Sequence, residues 1–113
     1  MKLPHAEKAL VEREKIVDYL LNPAHRYGAS KARFFSEFGF RVEAWEKLAE
    51  ALLEQGQRNA VARMKDTGFG PRYEVDGGIA APDGRRPRVR TVWQLDQGPI
   101  APRLLTAYPL EAL

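Results

Sequence analysis

The sequence predicts an α+β fold, with N-terminal helices packed on a C-terminal antiparallel β-meander of three to four strands. Three observations predict it. The first half of the chain carries apolar residues at helical spacing, in stretches separated by proline and glycine. The second half carries alternating apolar and polar residues, and its strand-like segments are separated by turn sequences rich in proline, aspartate and glycine.

Three helices are predicted before residue 56. Asn22-Pro23 closes the first, because proline cannot continue a helical hydrogen-bond ladder, and Gly39 suits the left-handed residue that ends the second. The third is the clearest amphipathic helix, with glutamates on its exposed side. We expect these helices at residues 10–21, 29–38 and 42–55, followed at residues 57–69 by an extension of the third helix and then a loop.

The strand region contains two turn signals. A first strand around Tyr73, Val75 and Ile79 is expected to be interrupted by a bulge or bend at Gly77-Gly78. The turn Pro82-Asp83-Gly84-Arg85 leads into a second strand, and the turn Asp96-Gln97-Gly98-Pro99 leads into a returning strand at residues 100–108. In the second strand, alternation places three arginines on one face and apolar residues with a threonine on the other: Arg86, Arg88 and Arg90 against Val89, Thr91, Trp93 and Leu95.

Length and composition bound the class of protein. A chain of 113 residues with 44% hydrophobic residues is expected to form one domain, residues 1–113. It has no apolar run of membrane-spanning length and no secretory signal core, so we expect a cytoplasmic protein without membrane contact. There is no cysteine and only two histidines, so we expect neither a metal site nor a cofactor. The sequence does not determine the oligomeric state.

The charge distribution favours an anionic partner. The net charge is +3, and twelve of the 18 basic residues are arginine, the better planar donor to phosphate. Positive charge lies on both sides of the acidic third helix. This pattern fits a basic groove for an anionic polymer, and it equally fits an ordinary solvated surface.

Several side chains could handle a phosphodiester. The loop between the first two helices holds His25, and Lys31 lies at the margin of an aromatic helical stripe. A ribonuclease without metal needs groups that move protons and cations that hold the phosphate. We therefore take as candidate catalytic residues His25, Lys31, Arg103, Thr106 and Tyr108, and as candidate nucleic-acid-binding residues Lys15, Arg86, Arg88 and Arg90. Each has a plainer explanation in packing or solvation.

One geometric condition limits this set. Strict alternation puts Arg103 and Thr106 on opposite faces of the returning strand, so they converge only if a bulge intervenes, which Pro102 could provoke. On the first helix, by contrast, Lys15 and Tyr19 are four residues apart and should be neighbours.

The segments KIVDYLLN, PAHRYGASKARFFSEFGF, GPRYEVDGGIAAPDGR and VRTVWQLDQGPIAPRLLTAYP, with LPHAEKAL, cover nearly the entire chain. Together they resemble an uncharacterised bacterial domain family of about this length, found alone beside a small antitoxin-like partner or as the C-terminal tip of polymorphic toxins. The closing segment is also similar, over a shorter stretch, to the final strands of the barnase, colicin and RelE group of RNase toxins. The positions matching the first family are Lys15, Tyr19, Gly28, Lys31, Tyr73, Trp93, Arg103, Thr106 and Tyr108.

Two functional hypotheses follow. The first is a toxin-like RNA-binding protein that acts as a metal-independent endoribonuclease of a toxin–antitoxin or polymorphic toxin system. The second is a non-catalytic interaction module that docks a small acidic partner protein. The resemblance implies RNA and a small antitoxin or immunity-like protein as partners.

Overall fold

The computed structural model describes residues 1–96, 98 and 100–110. In that part of the chain, three helices precede a four-stranded antiparallel sheet, which confirms the predicted α+β class and the order of its elements.

The helices differ in detail from the prediction. Helix α1 is an α-helical turn, Arg13–Lys15, continued by a π-helical turn, Ile16–Leu20. It begins later than predicted because Leu10 pairs with the last strand: the Leu10 N–H donates to the Pro102 carbonyl at 2.8 Å, and the Leu104 N–H donates to the Leu10 carbonyl at 2.9 Å. Helix α2 spans Ala29–Glu37 and α3 spans Trp45–Arg58, with short 3-10 turns at Ala6–Lys8 and Val42–Ala44.

The sheet is a meander in chain order. Strand β1 spans Val61–Thr67, β2 Gly70–Gly78, β3 Arg88–Gln94 and β4 Arg103–Pro109, and each pairs with the next in antiparallel register. The predicted turn after β3 lies partly outside the described residues, because Gln97 and Pro99 are not among them.

Two predictions about the sheet are wrong. Residues 57–58 extend α3 as predicted, but residues 61–67 form β1 where a loop was expected. Residues 62–66 of β1 are exposed, so the strand has no buried face to produce an alternating pattern. Strand β2 also runs through Gly77-Gly78 without interruption. A Cβ at position 77 would lie 2.6 Å from the end of the Asn59 side chain, which would have to move to admit it.

The core joins the helices to one face of the sheet. Ile16, Leu20, Phe35 and Leu52 are buried against Trp93 and its neighbours. Arg86 lies before β3 and Leu95 lies after it. Of the predicted apolar row, Val89, Thr91 and Trp93 are buried and Leu95 is half-buried.

A buried polar chain crosses this core. The Trp93 Nε1–H donates to Thr91 Oγ1 at 2.7 Å, and the Thr91 hydroxyl donates to Gln55 Oε1 at 2.7 Å. The Gln55 amide in turn donates to the carbonyls of Val75 and Val89, at 2.8 and 3.0 Å. Thr91 is fully buried, so its hydroxyl stabilises the core and is not accessible to a substrate.

Candidate functional site

The candidate site is centred on Tyr19, in the π-helical turn of α1. Its hydroxyl shares a 2.9 Å hydrogen bond with Thr106 Oγ1 on β4. Both side chains are only partly buried. A π-helical turn inside an α-helix is frequent at functional sites, and here it carries the central aromatic residue.

Two ammonium groups lie beside the Tyr19 ring. Lys15 Nζ is 5.6 Å and Lys31 Nζ is 5.5 Å from the ring centroid, both within cation–π range. Lys31 also donates to the Tyr27 backbone carbonyl at 3.2 Å. The predicted proximity of Lys15 and Tyr19 is confirmed. We name the cluster of Lys15, Tyr19, His25, Lys31 and Thr106 the Tyr19 cluster.

His25 lies against the same ring, with its centroid 4.8 Å from that of Tyr19. Its Nδ1 accepts two hydrogen bonds of 3.0 Å, from the backbone N–H groups of Tyr27 and Gly28. An imidazole nitrogen that accepts such bonds carries no proton, so in the neutral ring the proton is on Nε2. His25 therefore fixes the loop before α2 through one nitrogen and offers a donor through the other.

Gly28 allows the close packing of this loop on Tyr19. A Cβ at position 28 would lie 2.4 Å from the Tyr19 carbonyl oxygen and 2.8 Å from its ring carbon Cδ1. Any side chain there would displace the ring or the loop, since real Cβ contacts are longer. The backbone at Gly28 has φ −100°, so the requirement for glycine is steric.

A surface depression of about 460 Å³ opens over the cluster. It is lined by Lys15, Tyr19, His25, Tyr27 and Leu105. A smaller recess of about 220 Å³ on the other side of Lys15 and Tyr19 is lined by Glu12 and Glu14 as well. Lys15 and Tyr19 thus line both recesses, His25 lines the larger one, and the two glutamates line the smaller one. Lys31 and Thr106 belong to the cluster but are not in the lining of either recess.

The bulge that the sequence required is present in β4. The pairing shifts between Val92 and Trp93, so that Thr106 lies opposite Val92 while Leu104 already lies opposite Trp93. The extra residue is Leu105 rather than Pro102. Arg103 and Thr106 consequently fall opposite Gln94 and Val92, two residues of one face of β3.

Arg103 nevertheless does not line the depression. Its guanidinium is bound by Asp96, with Nε to Oδ2 at 2.7 Å, and this pairing raises the pKa of Arg103 above its ordinary value. The candidate cations Lys31 and Arg103 are thus held by different partners.

One arginine of the predicted row, Arg90, is neutralised by carboxylates. Arg90 bonds Asp76 at 2.7 Å and Glu74 at 3.0 Å, and the bond to Asp76 raises the pKa of Arg90 and lowers that of Asp76. Tyr108 lies directly opposite Arg90 on β4, outside the lining of the depression. Arg86 and Arg88 are exposed. Of the nucleic-acid-binding candidates, only Lys15 reaches the Tyr19 cluster.

The structure thus brings together four predicted residues, His25, Lys31, Thr106 and Lys15, around a fifth that was not proposed as a site residue. Tyr19 had two signals in the sequence, its spacing from Lys15 and its place among the matching family positions. Its bond to Thr106 spans 87 positions, a separation that no local pattern encodes.

Within residues 1–96, 98 and 100–110, no group of three or more histidine, aspartate or glutamate side chains is arranged to hold a metal ion. No helix in the same part of the chain has the length and apolar character needed to cross a membrane.

A solved structure shares this fold. The chain is similar, with a TM-score of 0.72 and 15% identity, to one chain of a contact-dependent growth inhibition toxin and immunity protein complex from Klebsiella pneumoniae 342. The match covers 95% of this chain and 97% of that chain. At this identity, the likeness shows the fold alone. No curated protein matches the sequence significantly.

A family model matches residues 2–111, which is nearly the full length. The protein therefore belongs to the family described as "Domain of unknown function (DUF6883)".

Proposed function

We propose that this chain is a single toxin-like domain, residues 1–113, that binds RNA at the Tyr19 cluster and cleaves it without a metal ion in the cytoplasm. The observation that carries the proposal is the convergence of two ammonium groups and an imidazole on one tyrosine whose hydroxyl is bonded to Thr106. Cations beside hydroxyl and imidazole groups are the components that phosphodiester cleavage requires.

Each residue has a distinct role in the proposal. Lys15 and Lys31 neutralise the phosphate, as ammonium groups do when they lie next to a water-accessible anion site. Thr106 orients the Tyr19 hydroxyl through their hydrogen bond. His25 donates through Nε2 to a phosphate oxygen, because its Nδ1 is engaged by the backbone of the loop.

The chemical step is an internal transfer. The 2′-oxygen attacks phosphorus and the bond from phosphorus to the 5′-oxygen breaks, giving a 2′,3′-cyclic phosphate and a 5′-hydroxyl. The proton lost by the 2′-hydroxyl ends on the 5′-oxygen. We assign its relay to the Tyr19 hydroxyl, which can accept one proton while it donates its own.

Arg103 and Tyr108 take supporting roles in this proposal. Arg103 is held by Asp96 and Tyr108 lies opposite Arg90 on β4, so both contribute packing next to the site. A substrate phosphate that competes with Asp96 would bring Arg103 into contact.

The comparisons support a toxin-related role with a small protein partner. The similar solved structure is titled as a complex of a toxin with an immunity protein. The basic character of this chain, with pI about 9.4, favours the toxin side over the immunity side, because RNA is anionic. We infer that a small acidic immunity-like protein binds and inhibits it.

The experiment is cleavage of total RNA in EDTA, combined with growth on induced expression. Wild type is expected to cleave RNA and to arrest growth. Lys31→Ala should lose most of the RNA cleavage and most of the growth arrest, and Arg103→Ala should lose less of each. Lys65→Ala, which replaces an exposed lysine on β1, should cleave RNA and arrest growth like wild type. Intact RNA and normal growth with the folded wild-type protein would refute the proposal.

A non-catalytic interaction module is the second candidate. The exposed side chains of Arg86 and Arg88 at the start of β3 favour it, since they present positive charge outside the Tyr19 cluster. In that case Arg88→Glu would abolish binding of a small acidic partner while RNA stays intact with every variant.

A further inference from the structure

Tyr27 is a large aromatic residue that the fold leaves exposed. Its side chain has a relative exposure of 67%, and it lines the depression over the Tyr19 cluster. A single exposed aromatic residue is ordinary on a protein surface. Tyr27 differs from the others in its position in the lining of this depression, beside His25 and Lys15.

The backbone of Tyr27 is fixed although its side chain is exposed. The Tyr27 N–H donates to His25 Nδ1 at 3.0 Å, and the Tyr27 carbonyl accepts from Lys31 Nζ at 3.2 Å. The Ala29 N–H donates to the His25 carbonyl at 3.1 Å, which closes the turn into α2. The ring is therefore presented from a rigid loop, and little conformational entropy is lost when a ligand contacts it.

The surroundings of the ring match a nucleotide. The Arg26 guanidinium carbon lies 5.3 Å from the Tyr27 ring centroid, and the His25 ring centroid lies 6.2 Å away. Lys15 lies across the same depression. An aromatic face next to cations is the arrangement by which proteins stack one unpaired base and hold its phosphate.

We propose that Tyr27 is a base-stacking platform, and that it makes unpaired RNA the substrate class of the Tyr19 cluster. This inference rests on the proposed function and adds the specificity to it. A base inside an A-form duplex is stacked on both faces by its neighbours and cannot offer a face to Tyr27. A single strand or a loop can place one base on Tyr27 and the adjoining phosphate between Lys15 and Lys31.

Affinity measurements test the inference without interference from cleavage. The probes are a fluorescein-labelled, fully 2′-O-methyl RNA strand, the same strand with one abasic position, and the same strand annealed to its complement. The proteins are wild type, Tyr27→Ala, Tyr27→Phe and, as matched control, Phe69→Ala, which removes an aromatic residue of 76% exposure from the β1–β2 turn.

We expect Tyr27→Ala to weaken binding of the single strand by about tenfold or more, the usual worth of one stacked base. Tyr27→Phe and Phe69→Ala should bind like wild type, since the first keeps the stacking ring and the second lies elsewhere. Wild type should bind the abasic strand and the duplex as weakly as Tyr27→Ala binds the single strand.

The outcomes separate this inference from the function on which it rests. If wild type binds none of the probes, RNA binding itself fails. If wild type binds strand, abasic strand and duplex equally, and Lys31→Ala weakens all three, RNA binding stands and the stacking role of Tyr27 is wrong. The abasic probe gives this answer even if a Tyr27 variant were to unfold.

Discussion

Tyr19 on the first helix and Thr106 on the last strand are joined by a 2.9 Å hydrogen bond although 87 positions separate them. The bond connects the helical layer to the edge of the sheet at the place where two lysines and a histidine converge. Folding of the whole chain is needed to form it, so the cluster exists only in the native protein.

The Thr106 hydroxyl should matter more to function than to stability. Thr106→Val keeps the shape of the side chain but leaves the Tyr19 hydroxyl without its partner. Because the site is only part-buried and water can replace the bond, we expect a loss of about 1 kcal/mol in the free energy of unfolding. RNA cleavage should fall at least tenfold, and Thr106→Ser should restore it. Urea denaturation and initial cleavage rates measure the two effects, and equal cleavage by the valine and serine variants would contradict the assignment.

Gly28→Ala should disturb the cluster through Tyr19. The added Cβ would meet the Tyr19 carbonyl oxygen at 2.4 Å, and we expect the strain to cost about 1–3 kcal/mol of unfolding free energy. Gly68→Ala is the matched control, because a Cβ at Gly68 has nothing within 4 Å. The melting temperatures of Gly28→Ala and Gly68→Ala measure the difference between the two variants. Identical melting temperatures for the two variants would show that the loop does not press on Tyr19 in solution.

Lys15 and Lys31 should each account for one phosphate contact. The dependence of log affinity on log salt for a single-stranded RNA should become shallower by about 0.7 for each of Lys15→Gln and Lys31→Gln, because each contact releases counterions. Lys47→Gln on α3 serves as control, since Lys47 lies against Phe40 and Pro82 in a different part of the surface. Unchanged slopes for the two site variants would remove these lysines from the RNA-binding surface.

Asp76 should contribute stability that is lost in acid. The hydrogen bond from Arg90 holds the pKa of Asp76 below its usual range in the folded protein. A carboxyl with a depressed folded pKa stabilises the native state above its unfolded pKa, and that contribution disappears as the pH falls through the folded value. At neutral pH, the free energy of unfolding should therefore be larger for wild type than for Asp76→Asn. This difference in unfolding free energy should close as the pH falls below about 4. A difference in unfolding free energy between the two proteins that is as large at pH 2 as at neutral pH would contradict the ion pair.

The sequence predicts the architecture well because its signals are local. Proline and glycine separate the helices, and strand alternation predicts one buried face with Val89, Thr91 and Trp93, although Val92 and Gln94 on the other face are buried as well. Strand β1 was not predicted because it carries no such local signal. It has one neighbour, β2, and five successive exposed residues, so its place in the sheet depends on backbone pairing and leaves no apolar pattern.

The site is only partly predictable because its parts come from distant segments. His25 and Lys31 lie in a local loop and helix that the sequence identifies as candidates. The opposing carboxylates that hold Arg90 and Arg103 are Asp76, Glu74 and Asp96, and their pairing depends on strand register. Within one predicted row, Arg90 is thus ion-paired while Arg86 and Arg88 are exposed, and strand alternation alone does not distinguish these two cases.

The most direct measurement of the central claim is the single-turnover cleavage of a labelled RNA strand in EDTA by wild type and by Tyr19→Phe, with analysis of the product ends. Tyr19→Phe keeps the ring that both lysines contact and removes only the hydroxyl that bonds Thr106. The account predicts a 2′,3′-cyclic phosphate and a 5′-hydroxyl from wild type, and a rate at least a hundredfold lower from the folded variant. Equal rates for the two proteins, or no cleavage by wild type, would contradict it.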